Sequence, residues 1–356
     1  MRTHKVAVIG GDGIGPEVVT AGLKVLRAVA AADGFALDTE DFPWGSDFYH
    51  KHKQMMPSDG LDALGNFDAI YFGAVGDPSI PDDVTLWGLR LAICQGLDQW
   101  ANVRPARLLP GLAGPLRADL GEQVDWIVIR ENSEGEYAGV GGRSHRGTPY
   151  ETGIETTLFT RKGVERIHRY AFEIAQKRPR KHLTCVTKSN AQRHGMVMWD
   201  EIFAEISADF PDVETSRVLV DACAAQMVLK PGSLDVMVAT NLHADILSDL
   251  AGALTGSLGM AASANLDPER RGPSMFEPVH GSAPDIVGQG IANPLAAVAS
   301  GAMMFDHLGE PASASRLNAA IERVAREAQV LTPDLGGNAT TEAVADAVID
   351  ALARGN

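Results

Sequence analysis

The feature that most constrains the fold is a repeated alternation between short apolar runs and helical patterns. The runs are rich in Val and Ile, which is typical of strands buried on both faces of a parallel sheet. The clearest pairs are KVAVIG with a helix near 15–32, DAIYFGAV with a helix near 86–98, HLTCVT with a helix near 192–207, and LDVMVAT with a helix near 241–255. This order predicts an α/β protein with a largely parallel central sheet.

One segment interrupts the alternation. Residues from about 135 to 160 are rich in Gly and Thr and have no helical period, which predicts a β-arm or hairpin. The C-terminal part of the chain shows two amphipathic patterns, and Thr340 or Thr341 is placed to cap the second helix. We find no internal repeat or obvious linker, so any two domains are expected to be interwoven.

Composition narrows the class of partner. The 356 residues carry a formal charge of −15, which argues against nucleic acid or an anionic membrane surface as the partner. No apolar stretch reaches the ~18 residues needed to cross a bilayer, and the first residues lead directly into a strand. The three cysteines are too scattered for a disulfide framework, so we expect a reducing, cytoplasmic location. An anionic substrate would need a local basic cluster.

A glycine-rich turn follows the first strand and is similar to a dinucleotide fingerprint. Gly11 and Gly13 fit the pattern G-x-G-x-x-G, but Pro16 occupies the third glycine position. Asp12 would also direct a carboxylate toward any pyrophosphate, although Asp38 and Glu40 lie at a suitable distance for ribose. We therefore favour a tight turn with Pro16 in the first helical turn over a cofactor site.

Two aspartates follow the strand LDVMVAT. Asp245 and Asp249 are four residues apart, so a helix would place both carboxylates side by side, where they repel each other. A solvated helix face is the ordinary alternative, but the pair follows the carboxyl end of a strand, where α/β proteins bind ligands. Carboxylate oxygens suit Mg²⁺ or Mn²⁺. Asp221 follows another strand and is a candidate third ligand.

Basic residues also occur near strand ends. Arg104, Arg107, Arg130 and Lys188 would provide the local basic cluster that an anionic substrate requires, although surface salt bridges are the commoner role. Tyr137 follows Arg130 by seven residues. A lysine and a tyrosine beside a divalent metal would be plausible proton acceptors and donors.

Together these motifs resemble the metal-dependent β-decarboxylating dehydrogenases, the family of isocitrate, isopropylmalate, homoisocitrate and tartrate/D-malate dehydrogenases. The motifs that carry the resemblance are GDGIGPEV, ANVRP, RENSEGEY, TKSN, NLHADILSDL, FEPVHGSAPDIVGQGIANP and GGNATTEAVADAV. The resemblance implies an isopropylmalate dehydrogenase-like fold with two interwoven domains, residues 1–102 plus 259–356 and residues 103–258. It also implies a homodimer, with a β-arm at about 135–160 for dimerisation and active sites shared between subunits.

The resemblance implies a role for each motif residue. Metal ligands would be Asp245 and Asp249 of one subunit and Asp221 of the other. The acid/base residues would be Tyr137 and the partner's Lys188. Arg104 and Arg130 would bind substrate carboxylates, and Asn190 would lie near the nicotinamide. The cofactor-binding residues would be Glu277, His280, Gly281, Ser282, Ala283, Asp285, Ile286 and Asn293.

The cofactor and reaction follow from the same resemblance. Asp285 would accept hydrogen bonds from both ribose hydroxyls, which favours NAD over NADP because a 2′-phosphate would be repelled. The expected reaction is oxidation of a 2-hydroxy acid with Mg²⁺ or Mn²⁺, followed by loss of CO₂ and protonation of the enol by Tyr137. A requirement for K⁺ stays open.

The helix before ANVRP distinguishes substrates in this family. Members generally have an arginine four residues before the aspartate matching Asp98, but this chain has Cys94 there. Arg90 lies one turn earlier, where isopropylmalate enzymes have an aliphatic residue. An unpaired charge there would oppose an isopropyl group. With LWG at 86–88, this favours a small C4 hydroxydicarboxylate: D-malate, giving pyruvate and CO₂, or tartrate. The alternatives are a 3-isopropylmalate dehydrogenase of leucine biosynthesis and, more distantly, a non-catalytic regulatory homologue.

Overall fold

The structure is a computed structural model that describes residues 2–355. Its strands are β1 (Arg2–Gly11), β2 (Phe35–Asp41), β3 (Ala69–Ala74), β4 (Ala101–Arg107), β5 (Asp125–Glu131), β6 (Gly135–Ser144), β7 (Thr152–Leu158), β8 (His182–Thr187), β9 (Glu214–Leu219), β10 (Val236–Ala239), β11 (Ala262–Leu266) and β12 (Ser274–Pro278).

Helices connect most of these strands. They are α1 (Gly15–Asp33), α2 (Ser46–His52), α3 (Gly60–Leu64), α4 (Asp82–Thr85), α5 (Leu91–Gly96), α6 (Ala118–Gly121), α7 (Arg161–Lys177), α8 (Gly195–Ser207), α9 (Val220–Leu229), α10 (Asn241–Leu254), α11 (Leu295–His307), α12 (Pro311–Glu327) and α13 (Thr341–Arg354). Within the described residues, no helix is long and apolar enough to cross a membrane.

Ten strands form one sheet in the order β2-β1-β3-β12-β11-β4-β5-β10-β8-β9. Six neighbouring pairs are parallel, and the three antiparallel pairs all involve β4 or β11 at the centre. The predicted mostly parallel α/β sheet is therefore confirmed. The proposed domain boundary at 102/103 falls inside β4, which pairs with β11 on one side and β5 on the other.

Helices cover both faces of each half of the sheet. In the β1–β3 half, α1 and α11–α13 pack on one face, and α2, α3 and α5 supply side chains to the other. In the β5–β10 half, α7 and α8 pack on one face, and α9 and α10 on the other. Burial on both faces explains why the strand sequences are continuous apolar runs.

Residues 135–158 form a separate two-stranded ribbon of β6 and β7. The arm expected from the Gly- and Thr-rich sequence is therefore present, and most of its residues are exposed. Its outer surface carries the apolar side chains Val140, Tyr150 and Ile154. Thr340 is the residue that caps α13, accepting from the Ala343 amide at 3.2 Å.

The helix predicted near 86–98 is present, as a helical segment that runs from residue 82 to residue 96. It consists of α4, a π-helical turn at Leu86–Arg90 and the short α5, a division that the sequence did not predict. A π turn inserts an extra residue per turn and occurs often at functional sites. Here it ends at Arg90. The helix expected near 192–207 begins at Gly195, because residues 188–194 form turns after β8.

Candidate active site

A cleft of about 210 Å³ opens beside the centre of the sheet. The carboxyl ends of β3 and β12, the π turn, β4, β5, the base of the arm and α10 all contribute to its wall. Nine of the residues singled out from the sequence line it, and they are Arg90, Arg104, Arg130, Tyr137, Asp245, Asp249, Glu277, His280 and Gly281.

The two aspartates lie on α10, whose first turn is firmly capped. The Thr240 hydroxyl accepts from the backbone of the first turn, and the Glu136 carboxylate accepts from a second free amide at 3.2 Å. Leu247 and its neighbours bury the opposite face of α10 in the core. This leaves Asp245 and Asp249 directed into the cleft.

The two carboxylates differ in charge environment. Burial raises the pKa of Asp245, but the guanidinium groups of Arg130, Arg104 and Arg90 outweigh that effect and hold it below its ordinary range. Burial and the adjacent Asp245 charge raise the pKa of Asp249. The repulsion expected from the four-residue spacing is therefore present, and a cation between the two groups would relieve it.

Three arginines surround this pair, and each is anchored through Nε. The Nε atoms donate to buried side-chain oxygens: Arg90 to Glu277 at 2.9 Å, Arg104 to Asn102 at 2.7 Å, and Arg130 to Asn241 at 2.8 Å. One terminal nitrogen of each guanidinium has no protein partner within residues 2–355: Nη1 of Arg90, Nη2 of Arg104 and Nη2 of Arg130. Anchoring fixes the planes, and the remaining donors suit carboxylate oxygens.

Arg104 and Arg130 also bond Asp245. Arg104 Nη1 lies 3.4 Å from Asp245 Oδ1, and Arg130 Nη1 bonds the same oxygen. Burial, together with the charges of Arg130 and Arg90, lowers the pKa of Arg104. Burial and mutual repulsion both disfavour three charged guanidinium groups in one pocket, and a bound anion would offset both effects. These three arginines form the local basic cluster that an anionic substrate would need in so acidic a protein.

Arg90 corrects one sequence interpretation. The sequence predicts an unpaired charge at this position, but Arg90 Nη2 lies 2.7 Å from Glu277 and 3.3 Å from Asn265 Oδ1. Burial opposes its charge, but the surrounding acidic groups, Glu277 foremost, together outweigh this and raise the Arg90 pKa. Cys94 is fully buried in the core and does not line the cleft. Arg90 therefore supplies a guanidinium from a different direction.

An asparagine cluster behind Arg90 was missed by sequence reasoning. Asn265 Oδ1 accepts from Asn102 at 2.9 Å and Asn132 at 3.0 Å, and its Nδ2 donates to Glu277 at 2.7 Å. All these side chains are buried. The cluster connects the anchor of Arg104 to the anchor of Arg90. Asn102 could have been noticed, because it lies two residues before Arg104 on the same face of β4.

Tyr137 lies at the base of the arm. Its hydroxyl is 3.3 Å from Asp245 Oδ2, and the Arg130 guanidinium lies 5.4 Å from its ring centre. Gln95 donates to its backbone carbonyl at 2.9 Å, which connects the arm to α5. Burial and the Asp245 charge raise the Tyr137 pKa, so the phenol is protonated at neutral pH.

Three predicted site residues lie elsewhere in the chain. Lys188, just after β8, forms an ion pair with Asp221 in the first turn of α9, and Asn190 is exposed nearby. Hydrogen bonding to Lys188 lowers the Asp221 pKa. None of the three lines the cleft. No group of three or more metal-ligating side chains forms within residues 2–355.

The expected cofactor segment runs from Glu277 to Asn293. His280 and Gly281 line the cleft, Ser282 is buried, Ala283 has a positive φ of 41°, and Asp285 is exposed. Ile286 packs against the core of the β1–β3 half, while Asn293 is buried and donates to Asp334 at 3.0 Å. Burial lowers the His280 pKa, and its Nε2 has no partner among the described residues.

Comparison with known proteins decides the family. The family model described as isocitrate/isopropylmalate dehydrogenase matches residues 5–350. The chain belongs to this family. A probable tartrate dehydrogenase/decarboxylase of Agrobacterium vitis is 63% identical over 100% of this chain and 99% of its own. The D-malate dehydrogenase [decarboxylating] of Escherichia coli is 48% identical over 99% of this chain and 100% of its own.

A solved family structure supports the same conclusion. The crystal structure of an isocitrate dehydrogenase from Methylococcus capsulatus has a TM-score of 0.88 and 37% identity, covering 98% of this chain and 99% of that chain. The family resemblance stated from the motifs is therefore confirmed, and so is the isopropylmalate dehydrogenase-like fold. The names of these two relatives match the tartrate/D-malate branch favoured by the sequence.

Proposed function

We propose that the protein is an NAD- and divalent-metal-dependent dehydrogenase that oxidises and decarboxylates a small 2-hydroxy dicarboxylate, with D-malate or tartrate as substrate. The observation that carries this proposal is the set of three Nε-anchored arginines around the Asp245–Asp249 pair. The free terminal nitrogens suit the two carboxylates of such a substrate, and the acidic pair suits a cation.

The acidic pair fits a divalent metal by its chemistry. Two adjacent carboxylates, one with a raised pKa caused partly by the other, form a partial oxygen-ligand set. The partner subunit's Asp221 would complete it in the proposed homodimer. The segment from His280 to Asn293 would hold NAD⁺. The metal would lower the pKa of the substrate hydroxyl and would stabilise the enolate that remains after CO₂ has left. NAD⁺ would accept the hydride.

The chain's own residues would bind the substrate and handle the protons. Metal binding would occupy Asp245, which releases Arg104 and Arg130 from that carboxylate toward a substrate carboxylate. The partner subunit's Lys188 would take the hydroxyl proton. Tyr137 would donate a proton to the enol carbon, and its raised pKa keeps it protonated until that step.

Specificity would rest on Arg90. Its free Nη1 would contact the C3 side of the substrate, where a hydroxyl or hydrogen fits and an isopropyl group would cover a charged donor. Nη2 and Nε would stay with Glu277, because that pair is buried. This arrangement favours tartrate and D-malate over 3-isopropylmalate.

We also propose the homodimer and the domain division implied by the family. The exposed apolar side chains Val140, Tyr150 and Ile154 suit burial of the arm against a second copy. Residues 1–102 with 259–356 would carry the cofactor, and residues 103–258 the dimer contact.

A substrate panel tests the proposal. Initial rates with D-malate, tartrate and 3-isopropylmalate, with Mn²⁺ and either NAD⁺ or NADP⁺, should show kcat/KM highest for a C4 substrate with NAD⁺. A preference for 3-isopropylmalate would make the enzyme an isopropylmalate dehydrogenase. Absence of turnover on all three, in protein that binds Mn²⁺, would favour a non-catalytic homologue.

A further inference from the structure

The glycine turn between β1 and α1 holds neighbouring loops together. The Asp12 carboxylate is buried and accepts from the Ser46 amide at 2.6 Å, the Ser46 hydroxyl at 2.8 Å and the Gly76 amide at 2.8 Å. The Asp12 amide donates to the Ala74 carbonyl at 2.9 Å. The carboxylate therefore faces the protein interior rather than a pyrophosphate, contrary to the sequence expectation.

The same turn contacts the segment that the proposed function assigns to NAD. The Ile14 amide donates to the Ser282 carbonyl at 2.9 Å. Gly13 has a φ of +58°, and a Cβ there would lie only 2.7 Å from the carbonyl carbon and Cβ of Ser282. Ordinary contacts begin near 3.4 Å, so any larger residue at 13 must push Ser282 away. Two backbones thus pack directly against each other.

A second contact holds the other end of that segment. Glu17, in the first turn of α1, accepts from the Ala292 amide at 3.2 Å, next to Asn293. The Thr341 hydroxyl contacts the same carboxylate and lies 2.7 Å from the Ala292 carbonyl, so its single hydrogen is shared between the two acceptors. The intervening residues, 279–294, form no helix or strand. A loop of this length needs external contacts to keep one conformation.

We propose that the turn from Gly11 to Glu17 positions the cofactor segment, with Gly13 and Glu17 as positioning residues. The inference rests on the proposed function for the role of residues 280–293. Holding the segment at Ser282 and Ala292 before the cofactor arrives reduces the ordering that binding would otherwise require. The turn would thus act through its contacts with the cofactor segment and not by contacting the cofactor itself. Its glycine pattern departs from the dinucleotide fingerprint.

The test compares Gly13→Ala with Gly34→Ala in the full-length protein. Gly34 has a similar positive φ of 78°, but a Cβ there meets no atom within 4 Å. Both variants place an alanine at a positive φ, and only Gly13→Ala pushes Ser282. Calorimetric titration with NAD⁺ should show Kd raised about tenfold or more in Gly13→Ala, because binding must then order a segment that the turn no longer holds in place. KM for the hydroxy acid should stay within about twofold in both variants.

Glu17→Ala and Glu17→Gln provide a second comparison that avoids positive φ. Glu17→Ala should weaken NAD⁺ binding, and Glu17→Gln, which keeps an acceptor for Ala292, should restore most of it. Equal NAD⁺ affinity in wild type, Gly13→Ala and Glu17→Ala would overturn the proposal. So would equal losses in Gly13→Ala and Gly34→Ala.

Hydrogen exchange separates this inference from the proposed function. In cofactor-free protein, amides of residues 282–293 should exchange faster in Gly13→Ala than in wild type and Gly34→Ala. If wild type does not bind NAD⁺ while this exchange difference is found, the proposed cofactor is wrong and the positioning contact stands. If exchange is unchanged in Gly13→Ala, the positioning contact is refuted whatever the cofactor.

Discussion

Replacing Arg90 separates the structural and substrate-binding roles of its guanidinium. Arg90→Leu removes the partner of Glu277, a buried carboxylate that Arg90 contacts through Nε at 2.9 Å and Nη2 at 2.7 Å. Breaking a buried ion pair from one side typically costs about 3–5 kcal/mol of folding free energy. The variant also loses the free Nη1 donor. A hydrogen bond to a charged group contributes about 1.5–3 kcal/mol, so kcat/KM on D-malate should fall about 10- to 150-fold.

The Arg90→Lys variant separates the loss of folding stability from the loss of kcat/KM. An ammonium at this position can still pair with Glu277, but it has no second nitrogen to reach the cleft. We therefore expect Arg90→Lys to recover most of the folding stability and little of the activity. The free energy of unfolding would be measured by urea titration followed by tryptophan fluorescence, and kcat/KM with D-malate, tartrate and 3-isopropylmalate.

The relative use of 3-isopropylmalate decides the specificity argument. Removing the charge should raise the ratio of kcat/KM for 3-isopropylmalate to that for D-malate in Arg90→Leu. If both variants keep wild-type kinetics on all three substrates, Arg90 does not contact substrate and the specificity argument fails. If Arg90→Lys is fully active, the free Nη1 is not the group that matters.

Three further outcomes are expected from other parts of the molecule. Asn265→Leu should lower kcat/KM on D-malate while KM for NAD⁺ changes little, because Asn265 orients Glu277 behind Arg90; steady-state kinetics measure both. Burial lowers the pKa of His168 to about 3, from about 6.5 for an exposed histidine. Between these pH values the unfolded chain binds more protons than the folded one, so wild type loses stability as the pH falls below about 6.5. His168→Phe should remove this loss, which is about 3 kcal/mol at pH 4, and lower the acid-unfolding midpoint measured by circular dichroism. Mixing inactive Lys188→Met and Tyr137→Phe subunits under exchange conditions should restore about a quarter of wild-type activity, since each mixed dimer would hold one intact site.

Each of these predictions has a contradicting result. Asn265→Leu with unchanged kinetics would make the asparagine cluster purely structural. A His168→Phe variant that retains the wild-type pH dependence between 6.5 and 4 would show that His168 is not the group responsible. Mixed dimers without recovered activity would argue that each subunit carries its own complete site.

Features that depend on residues close together in the chain were predicted well from the sequence. The Val- and Ile-rich runs predicted the parallel sheet because those strands are buried on both faces, and Asp245 and Asp249 were recognised because helical spacing makes them neighbours. The π turn at Leu86–Arg90 could not be read from the sequence, because its neighbouring residues have ordinary helical composition. Leu86 and Arg90, the first and last residues of this turn, line the cleft.

Long-range pairs were beyond sequence reasoning. Arg90 and Glu277 lie 187 positions apart, and their contact depends on β12 being placed beside β3. The Asn265 cluster depends on the antiparallel pairing of β11 with β4, which opposes Asn265 to Asn102. The glycine turn departs from the dinucleotide fingerprint in its sequence, but its contacts with Ser282 and Ala292 appear only in the folded chain.

The most direct test of the proposed reaction is product stoichiometry. Purified protein with Mn²⁺, NAD⁺ and ¹³C-labelled D-malate would be followed by NMR for organic products and by absorbance for NADH. Equal amounts of pyruvate, CO₂ and NADH are expected, because oxidation yields a β-keto acid that loses CO₂ in the same site. NADH formation with oxaloacetate accumulating and no enzyme-dependent CO₂ would contradict the decarboxylating mechanism, and no NADH at all would contradict the proposed D-malate reaction.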